Sequence, residues 1–421
     1  MPQPFTEGVQ PVIDEARIEE LTTRAISEIY PSAGELAEEL RSGRQLTAYM
    51  GIDPTAPDMH VGHESQLLKL RRLQDMGHHV ILLIGDFTAM IGDPTDKSAA
   101  RTRLTREQVL ENAQGYKQQA GKILDFEDPK NPVDLRYNSE WLDGMNFTDV
   151  LELASEFSVQ QMLERDMFQQ RIKDEKSLNL IEILYPLMQA WDSVQLDVDI
   201  EVGGSDQIFN MLKGTTLVKR HLDKQKYVIA GQLLADPDGK KIGKTEGNMI
   251  TLNDTPADMY HKIMMWGDGI TPHALELCTD MPIEEVRDIE QKLRDSTLSG
   301  IEAKMLLART IVTDLHGQES AQEAERGYQA LTSRDVEIDL ETLPVASVAL
   351  GQNIVDILVG SGLAPSNKQA RRLLEANAVR VNGQAVSADW AATTIEEGQT
   401  VVLQVGKKKR ENHRVLKVQE D

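Results

Sequence analysis

His60-Val61-Gly62-His63 sets two imidazoles three residues apart at what reads as the start of a helix, so both rings point the same way. A helix N-terminus adds free N–H groups and partial positive charge, a setting suited to a polyphosphate. Gly62, between the rings, lets a nucleotide ring come close to the backbone. Zinc is the rival occupant for a histidine pair, but no third His or Cys stands nearby. Far downstream, Lys241-Ile242-Gly243-Lys244-Thr245 lies in a polar, glycine-bearing loop, DPDGKKIGKTEGN. Two lysines three apart, with small residues and a hydroxyl, can wrap a pyrophosphate and meet charge that develops only as a bond breaks. Alone, such a loop reads as solvated basic surface. Paired with the histidines, it reads as phosphate chemistry.

These residues need a scaffold. Leu46–Ile52 and His79–Gly85 read as buried strands, and residues 61–74 carry apolar residues at helical spacing. Residues 105–124 and 148–170 read as further helices, Leu196–Val202 and Lys226–Ile229 as short strands. Alternating strands and helices predict an α/β fold with a Rossmann-type, doubly wound parallel sheet. The loop Asp53-Pro54-Thr55-Ala56-Pro57 then delivers His60 and His63 to the carboxyl end of a strand, where such sheets bind ligands. Past residue 250 the strand signal stops. Residues 256–332 read as all-helical, with starts at Thr255-Pro256, Thr271-Pro272 and Pro282. A thin connection over Ser333–Gln352 leads to a small α+β module. The expected division is a catalytic domain over 1–249 with a helical insertion at about 125–190, a helical domain over 250–335 and a third domain over 352–421.

Composition narrows the class. The 421 residues include one cysteine, Cys278, so no internal disulfide and no cysteine-rich zinc site can form. No stretch is long and apolar enough for a membrane span, and the acidic N-terminus lacks the apolar core of a secretory signal. A cytoplasmic protein is expected. The net charge of −23 argues against nucleic acid, but from Gln352 onward ten Lys and Arg face eight Asp and Glu. That end alone can approach a polyanion without strong repulsion.

The two motifs together resemble the paired signatures of class I aminoacyl-tRNA synthetases, spelled HVGH and KIGKT in this chain, the second with Ile and Gly at its centre. Tyr185, Gln189 and Asp192, at spacings that share one helix face, followed by Gly203-Gly204-Ser205-Asp206-Gln207, resemble the tyrosyl-tRNA synthetases. That resemblance, over residues 40–421, implies ATP as substrate with Mg²⁺, tyrosine and tRNA(Tyr) as partners, and a homodimer. It assigns Tyr185, Gln189, Asp53, Thr88 and Asp93 to the amino group of tyrosine, Asp192 and Tyr49 to its phenol hydroxyl, and Gln207 to the α-carbon and carboxylate. Gly51, Thr55, His60, Gly62, His63, Gly204, Asp206 and Lys244 fall to ATP. Lys97 and Arg101 match basic residues that reach the departing pyrophosphate, with Lys241, Lys244, Thr245 and the two histidines completing the catalytic set. None of these roles is that of a metal ligand. An acceptor such as Asp192 demands a hydroxyl donor, and phenylalanine would leave it unpaired. A tryptophan-specific enzyme of the same fold is the close rival, and a non-catalytic RNA-binding shell the distant one.

Residues 364–383 resemble an S4 RNA-binding domain. Lys368, Arg371 and Arg372 lie at i, i+3 and i+4, one basic helical face. Lys407, Lys408, Lys409 and Arg410 add a second cluster, and both can contact phosphates.

Overall fold

The computed structural model describes residues 9–94, 104–235, 249–332, 343–349, 351–382, 384–391, 401–406 and 413–418. The chain divides into two compact units, Met1–Arg326 and Gly327–Asp421.

The first unit is built on six strands: β1 (Ile26–Tyr30), β2 (Thr47–Ile52), β3 (His79–Ile84), β4 (Asp134–Tyr137), β5 (Ile200–Gly204) and β6 (Tyr227–Gly231). Their order is β1-β6-β5-β2-β3-β4. From β6 to β4 all neighbours are parallel, while β1 runs antiparallel to β6. Strands β2 and β3 are apolar and buried almost throughout, as a sheet covered on both faces requires. The chain winds outward from β2 through β3 to β4, then returns to start again at β5. The reversal falls between β2 and β5, so a crevice opens at their carboxyl ends.

The Val61–Asp75 helix follows β2 and lies against β2, β3 and β5. Leu67, Leu70 and Leu73 are fully buried on its inner face, each contributing roughly 1.5–3 kcal/mol. The Leu180–Gln195 helix packs along the Ile208–Leu222 helix, sharing a core of Leu187, Ala190, Val194, Leu217 and Val218.

Several expected elements are divided or moved. The single helix expected over 105–124 is two, Arg106–Ala113 and Tyr116–Ala120, parted at Gly115. The one expected over 148–170 is three, Phe147–Ser155, Val159–Leu163 and Asp166–Lys173. Ser158 caps the second of them, its Oγ accepting from Gln161 N at 3.2 Å, which restarts the helix instead of continuing it. Asp197, at φ 50°, turns the chain where a strand was expected, so β5 begins only at Ile200. The expected helical insertion contains β4, too short and polar to announce itself.

The first forty residues also take part in the fold. Helix Glu15–Thr23 leads to β1 on the sheet edge and then to helix Ala33–Arg41. Between them Arg24 is buried. Its guanidinium donates to the carbonyls of Leu275, Glu276, Thr279 and Met281, closing the carboxyl end of the Thr271–Cys278 helix. The stretch expected to be helical is so: Pro256–Met264, Thr271–Cys278, Ile283–Arg294, Gly300–His316 and Gln318–Thr332.

The second unit has a five-stranded sheet ordered β7-β11-β10-β8-β9, made of β7 (Val345–Val348), β8 (Val379–Val381), β9 (Gln384–Ala385), β10 (Val401–Val405) and β11 (His413–Val418). Helices Ile354–Gly360 and Asn367–Glu375 share its core through Ile354, Leu358, Ala370 and Leu374. Part of the expected thin connection is thus a strand, β7, paired in parallel with β11.

Candidate active site

His60 is the N-cap of the Val61–Asp75 helix. Its Nδ1 accepts from Gly62 N at 3.1 Å, while the Nδ1 of His63 accepts from His60 N at 3.1 Å. The two rings stack with centroids 3.9 Å apart. A Cβ on Gly62 would sit 2.9 Å from the His60 ring, so the glycine makes room for the capping imidazole as well as for any ligand. The segment after the KIGKT motif runs beside this turn: Val61 N donates to Ile250 O at 3.1 Å and Leu252 N to Met59 O at 2.9 Å. Lys241, Lys244 and Thr245 lie outside the described residues, as do Lys97 and Arg101.

At the end of β2, Asp53 ties three segments together. It accepts from Thr88 Oγ1 at 2.7 Å and from the Tyr185 hydroxyl at 2.9 Å. A Cβ on Gly85 would fall 2.0 Å from Asp53 Oδ1 and 2.5 Å from Thr88 Oγ1. Only glycine fits there. Thr88 Oγ1 also accepts from Asn138 Nδ2 at 3.0 Å, and Asn138 Nδ2 lies 3.3 Å from Asp192 Oδ2. The other Asp192 oxygen accepts from Trp141 Nε1 at 2.8 Å. One polar path therefore runs Tyr185–Asp53–Thr88–Asn138–Asp192–Trp141.

Burial pushes the Asp192 carboxyl well above the usual carboxylate range, against the pull of the Trp141 and Asn138 donors. Burial first, then the Glu201 and Asp192 charges, raises the Tyr49 phenol well above its ordinary value. Tyr185 is raised in the same way, by burial and by Asp53. Both phenols are thus held as neutral hydroxyls. The Tyr49 hydroxyl bonds Ser193 Oγ at 2.9 Å rather than Asp192.

A second path serves the other side. Gln207 Nε2 donates to Asp93 Oδ2 at 2.5 Å, Asn210 Nδ2 to Gln207 Oε1 at 3.1 Å and to Gln189 Oε1 at 2.9 Å. Arg165 faces Asp93 at 3.7 Å, its buried guanidinium bracketed by the rings of Phe168 and Phe209. Gly204 and Asp206 stand where β5 passes into the turn Ser205–Gln207, with Asp206 exposed, while Gly51 is exposed near the end of β2 and Thr55 half-buried just beyond it. These four residues therefore stand at or just beyond the carboxyl ends of β2 and β5, the two strands that flank the crevice.

The fold brings together Tyr49, Asp53, Thr88, Asp93, Tyr185, Gln189, Asp192 and Gln207, residues spread over more than 150 positions of the chain. Sequence reasoning missed Asn138, Trp141, Arg165, Ser193 and Asn210. Asn138 and Trp141 directly follow β4, and recognising that strand would have pointed to its carboxyl end. In the second unit Lys368, Arg371 and Arg372 are exposed on the Asn367–Glu375 helix. Lys407, Lys408, Lys409 and Arg410 lie outside the described residues.

A nucleotide-type sheet with a histidine-capped helix at its switch point is matched by sequence comparison. The profile of the class I tRNA synthetases (W and Y) covers residues 41–333, and that of the tyrosine–tRNA ligase SYY-like C-terminal domain covers 335–411. The tyrosine–tRNA ligase of Thermotoga maritima is 41% identical over 90% of this chain and 92% of its own; that of Moorella thermoacetica is 40% identical over 94% and 95%. The solved structure of a C-terminally truncated Aspergillus nidulans mitochondrial tyrosyl-tRNA synthetase shares the fold, with a TM-score of 0.63 over 76% of this chain and 94% of that one at 24% identity. The chain belongs to the class I tRNA synthetases, and within them to the tyrosine–tRNA ligases.

Proposed function

We propose that this tyrosine–tRNA ligase works in two steps, adenylation of tyrosine followed by transfer to the 3′-terminal adenosine of tRNA(Tyr), with the roles that follow. The carboxylate of tyrosine attacks the α-phosphate of ATP in line, and pyrophosphate leaves. A carboxylate is ionised at neutral pH, so the first step needs no general base. Rate enhancement comes from alignment and from cations meeting the charge that grows on the phosphates. Lys97, Arg101, Lys241 and Lys244 supply the cations, and His60, His63 and Thr245 add hydrogen-bond donors to the same set. Mg²⁺ enters with the ATP phosphates as part of the substrate; among the described residues no group of three His, Cys, Asp or Glu side chains could hold a metal.

Asp53, Thr88, Asp93, Tyr185 and Gln189 receive the ammonium, Gln207 the carboxylate side, and Asp192 with Tyr49 the phenol. Gly51, Thr55, Gly62, Gly204 and Asp206 accommodate the nucleotide. The observation that carries the reading is the buried Asp192 carboxylate, held between Trp141 and Asn138 at the end of a network that includes Asp53. A phenol hydroxyl adds one more donor to that acceptor beside Trp141 and Asn138, and phenylalanine brings none.

Pyrophosphate exchange with each amino acid in turn tests the first step. Tyrosine alone is expected to drive it, and exchange with tryptophan alone overturns the reading. The division of labour we propose is catalysis in 1–249, with the helical stretch 250–335 toward the anticodon side, and an S4-like RNA-binding module in 352–421. Exposed Lys368, Arg371 and Arg372 give that module a cationic face. Charge reversal there is expected to weaken tRNA binding and flatten its salt dependence without changing exchange.

A homodimer is supported by exposed apolar side chains within one stretch of the chain: Phe147, Leu151, Val159 and Leu180 are 77%, 54%, 65% and 71% exposed. Sedimentation of a Phe147→Glu, Leu151→Glu variant tests it. No helix among the described residues is long and apolar enough to cross a membrane, and a cytoplasmic setting fits a chain with one buried cysteine.

A further inference from the structure

Beside Gln189 the fold buries an ion pair that the scheme above does not use. Lys226, just ahead of β6, and Glu201, in β5, are 0% and 2% exposed. Lys226 Nζ donates to Glu201 Oε2 and, at 2.9 Å, to the carbonyl of Met211. The neighbouring helix is shaped around them. A Cβ on Gly214 would lie 2.5 Å from Lys226 Nζ and 2.8 Å from Ser193 Oγ. Stability gives little reason for such a pair, since two apolar side chains of similar volume commonly fill the space as well or better.

What the pair does hold is the polar lining of the pocket. Glu201 Oε1 accepts from Gln189 Nε2 at 3.1 Å, and Glu201 Oε2 accepts from Ser193 Oγ at 3.4 Å. Ser193 Oγ is in turn 2.9 Å from the Tyr49 hydroxyl. An ionised carboxylate only accepts, so it selects the NH₂ end of the Gln189 amide. Asn210 Nδ2, donating to Gln189 Oε1 at 2.9 Å, fixes the opposite end from the other side. The amide cannot turn over without breaking both bonds. The same carboxylate takes the one Ser193 proton, which leaves Ser193 Oγ to accept from Tyr49. Lys226 supplies the countercharge beside the Glu201 carboxylate, which is buried away from water.

We propose that Glu201, held by Lys226, is a positioning residue for tyrosine binding that sets the donor and acceptor ends of Gln189 and of the Tyr49 hydroxyl. The inference rests on reading Gln189 and Tyr49 as tyrosine contacts.

The test uses the full-length enzyme in pyrophosphate exchange, with thermal unfolding alongside. In Glu201→Met/Lys226→Met both charges are gone, so no unpaired charge is left buried. It is expected to fold, to raise the KM for tyrosine tenfold or more, to leave the KM for ATP within twofold, and to narrow the preference for tyrosine over phenylalanine. Glu201→Gln/Lys226→Met restores one acceptor toward Gln189 and is expected to recover part of the tyrosine KM. Gln189→Ala is the reference. If Gln189→Ala raises the tyrosine KM but the double methionine variant does not, the pair is only structural and the proposal fails. If Gln189→Ala itself leaves that KM unchanged, the reading beneath it fails instead. Should the double methionine variant not fold, the Glu201→Gln/Lys226→Met enzyme decides alone, an unchanged tyrosine KM and tyrosine preference overturning the proposal.

Discussion

Trp141 Nε1 donates to Asp192 Oδ1 at 2.8 Å, from a helix that begins two residues after β4 to a carboxylate on the Leu180–Gln195 helix. This bond works against the burial that raises the Asp192 carboxyl. Trp141→Phe keeps most of the apolar packing but removes the donor, so the carboxyl should rise further. The acid limb of kcat/KM for tyrosine is then expected to move to higher pH, and kcat/KM at neutral pH to fall about tenfold to a hundredfold, as for a lost hydrogen bond to a charged group. An unshifted pH profile would show that Asp192 does not titrate in tyrosine recognition.

Gly85→Ala tests the crowding around Asp53. A methyl group 2.0 Å from Asp53 Oδ1 and 2.5 Å from Thr88 Oγ1 cannot be housed without breaking their bond. Tyrosine activation is expected to drop by two orders of magnitude or so, with roughly 1–3 kcal/mol of stability lost through the unpaired groups. Wild-type exchange in this variant would remove Asp53 from the site.

The two duties of His60 can be separated. Alanine removes a helix cap worth about 1 kcal/mol together with the imidazole. Asparagine, itself a good cap, removes only the imidazole. His60→Asn is therefore expected to unfold within a few degrees of the wild type, bind tyrosine normally, and activate it about 10²–10³-fold more slowly, the size of effect seen when a preorganised donor is lost. Equal losses in binding and rate would refute a role confined to the transition state.

His78 is fully buried, its Nδ1 accepting from Leu46 N at 3.2 Å, and burial lowers its pKa to about 4 from an ordinary 6.5. Below the ordinary value the unfolded chain takes up a proton that the folded chain refuses. The associated stability is complete above about pH 6.5 and drains away as the pH falls toward 4, by about 1.4 kcal/mol per pH unit and about 3 kcal/mol in all. His78→Asn retains an acceptor for Leu46 N and removes the titration. Urea midpoints at pH 7.5 and 5 are expected to differ less in the variant than in the wild type. A difference of the same size in both proteins would assign the acid sensitivity to other groups.

Periodicity and motif spacing made part of this molecule legible. The apolar runs of β2 and β3 and the leucines of the Val61–Asp75 helix announce buried elements, and the strand–loop–helix sequence puts His60 at a strand end. The spacing of Tyr185 and Asp192 likewise foretells one face, and both are buried. Features set by distant partners left no such trace. Strand β4, Asp-Leu-Arg-Tyr, is too short and polar to show a period, and with it Asn138 and Trp141 went unseen. Between 147 and 173 the helix is broken by the local cap at Ser158 and by extended backbone at Arg165, which makes no side-chain cap, where a continuous helix is plausible from the sequence. Glu201 sits in a run, LDVDIEV, whose alternation suggests an outward-facing carboxylate. Only Lys226, twenty-five residues on, explains why it can be inside.

The antiparallel edge strand has a consequence for how the protein is made. β1 leaves the ribosome before the other described strands, yet its sheet neighbour among the described residues, β6, ends at Gly231. Some two hundred residues must be synthesised before β1 can pair. Until then Ile26 to Tyr30 is an unmatched strand on a nascent chain, and Arg24 waits longer still for the carbonyls of residues 275–281. Removing β1 from a recombinant protein would leave the outer edge of β6 bare, an invitation to pairing between chains.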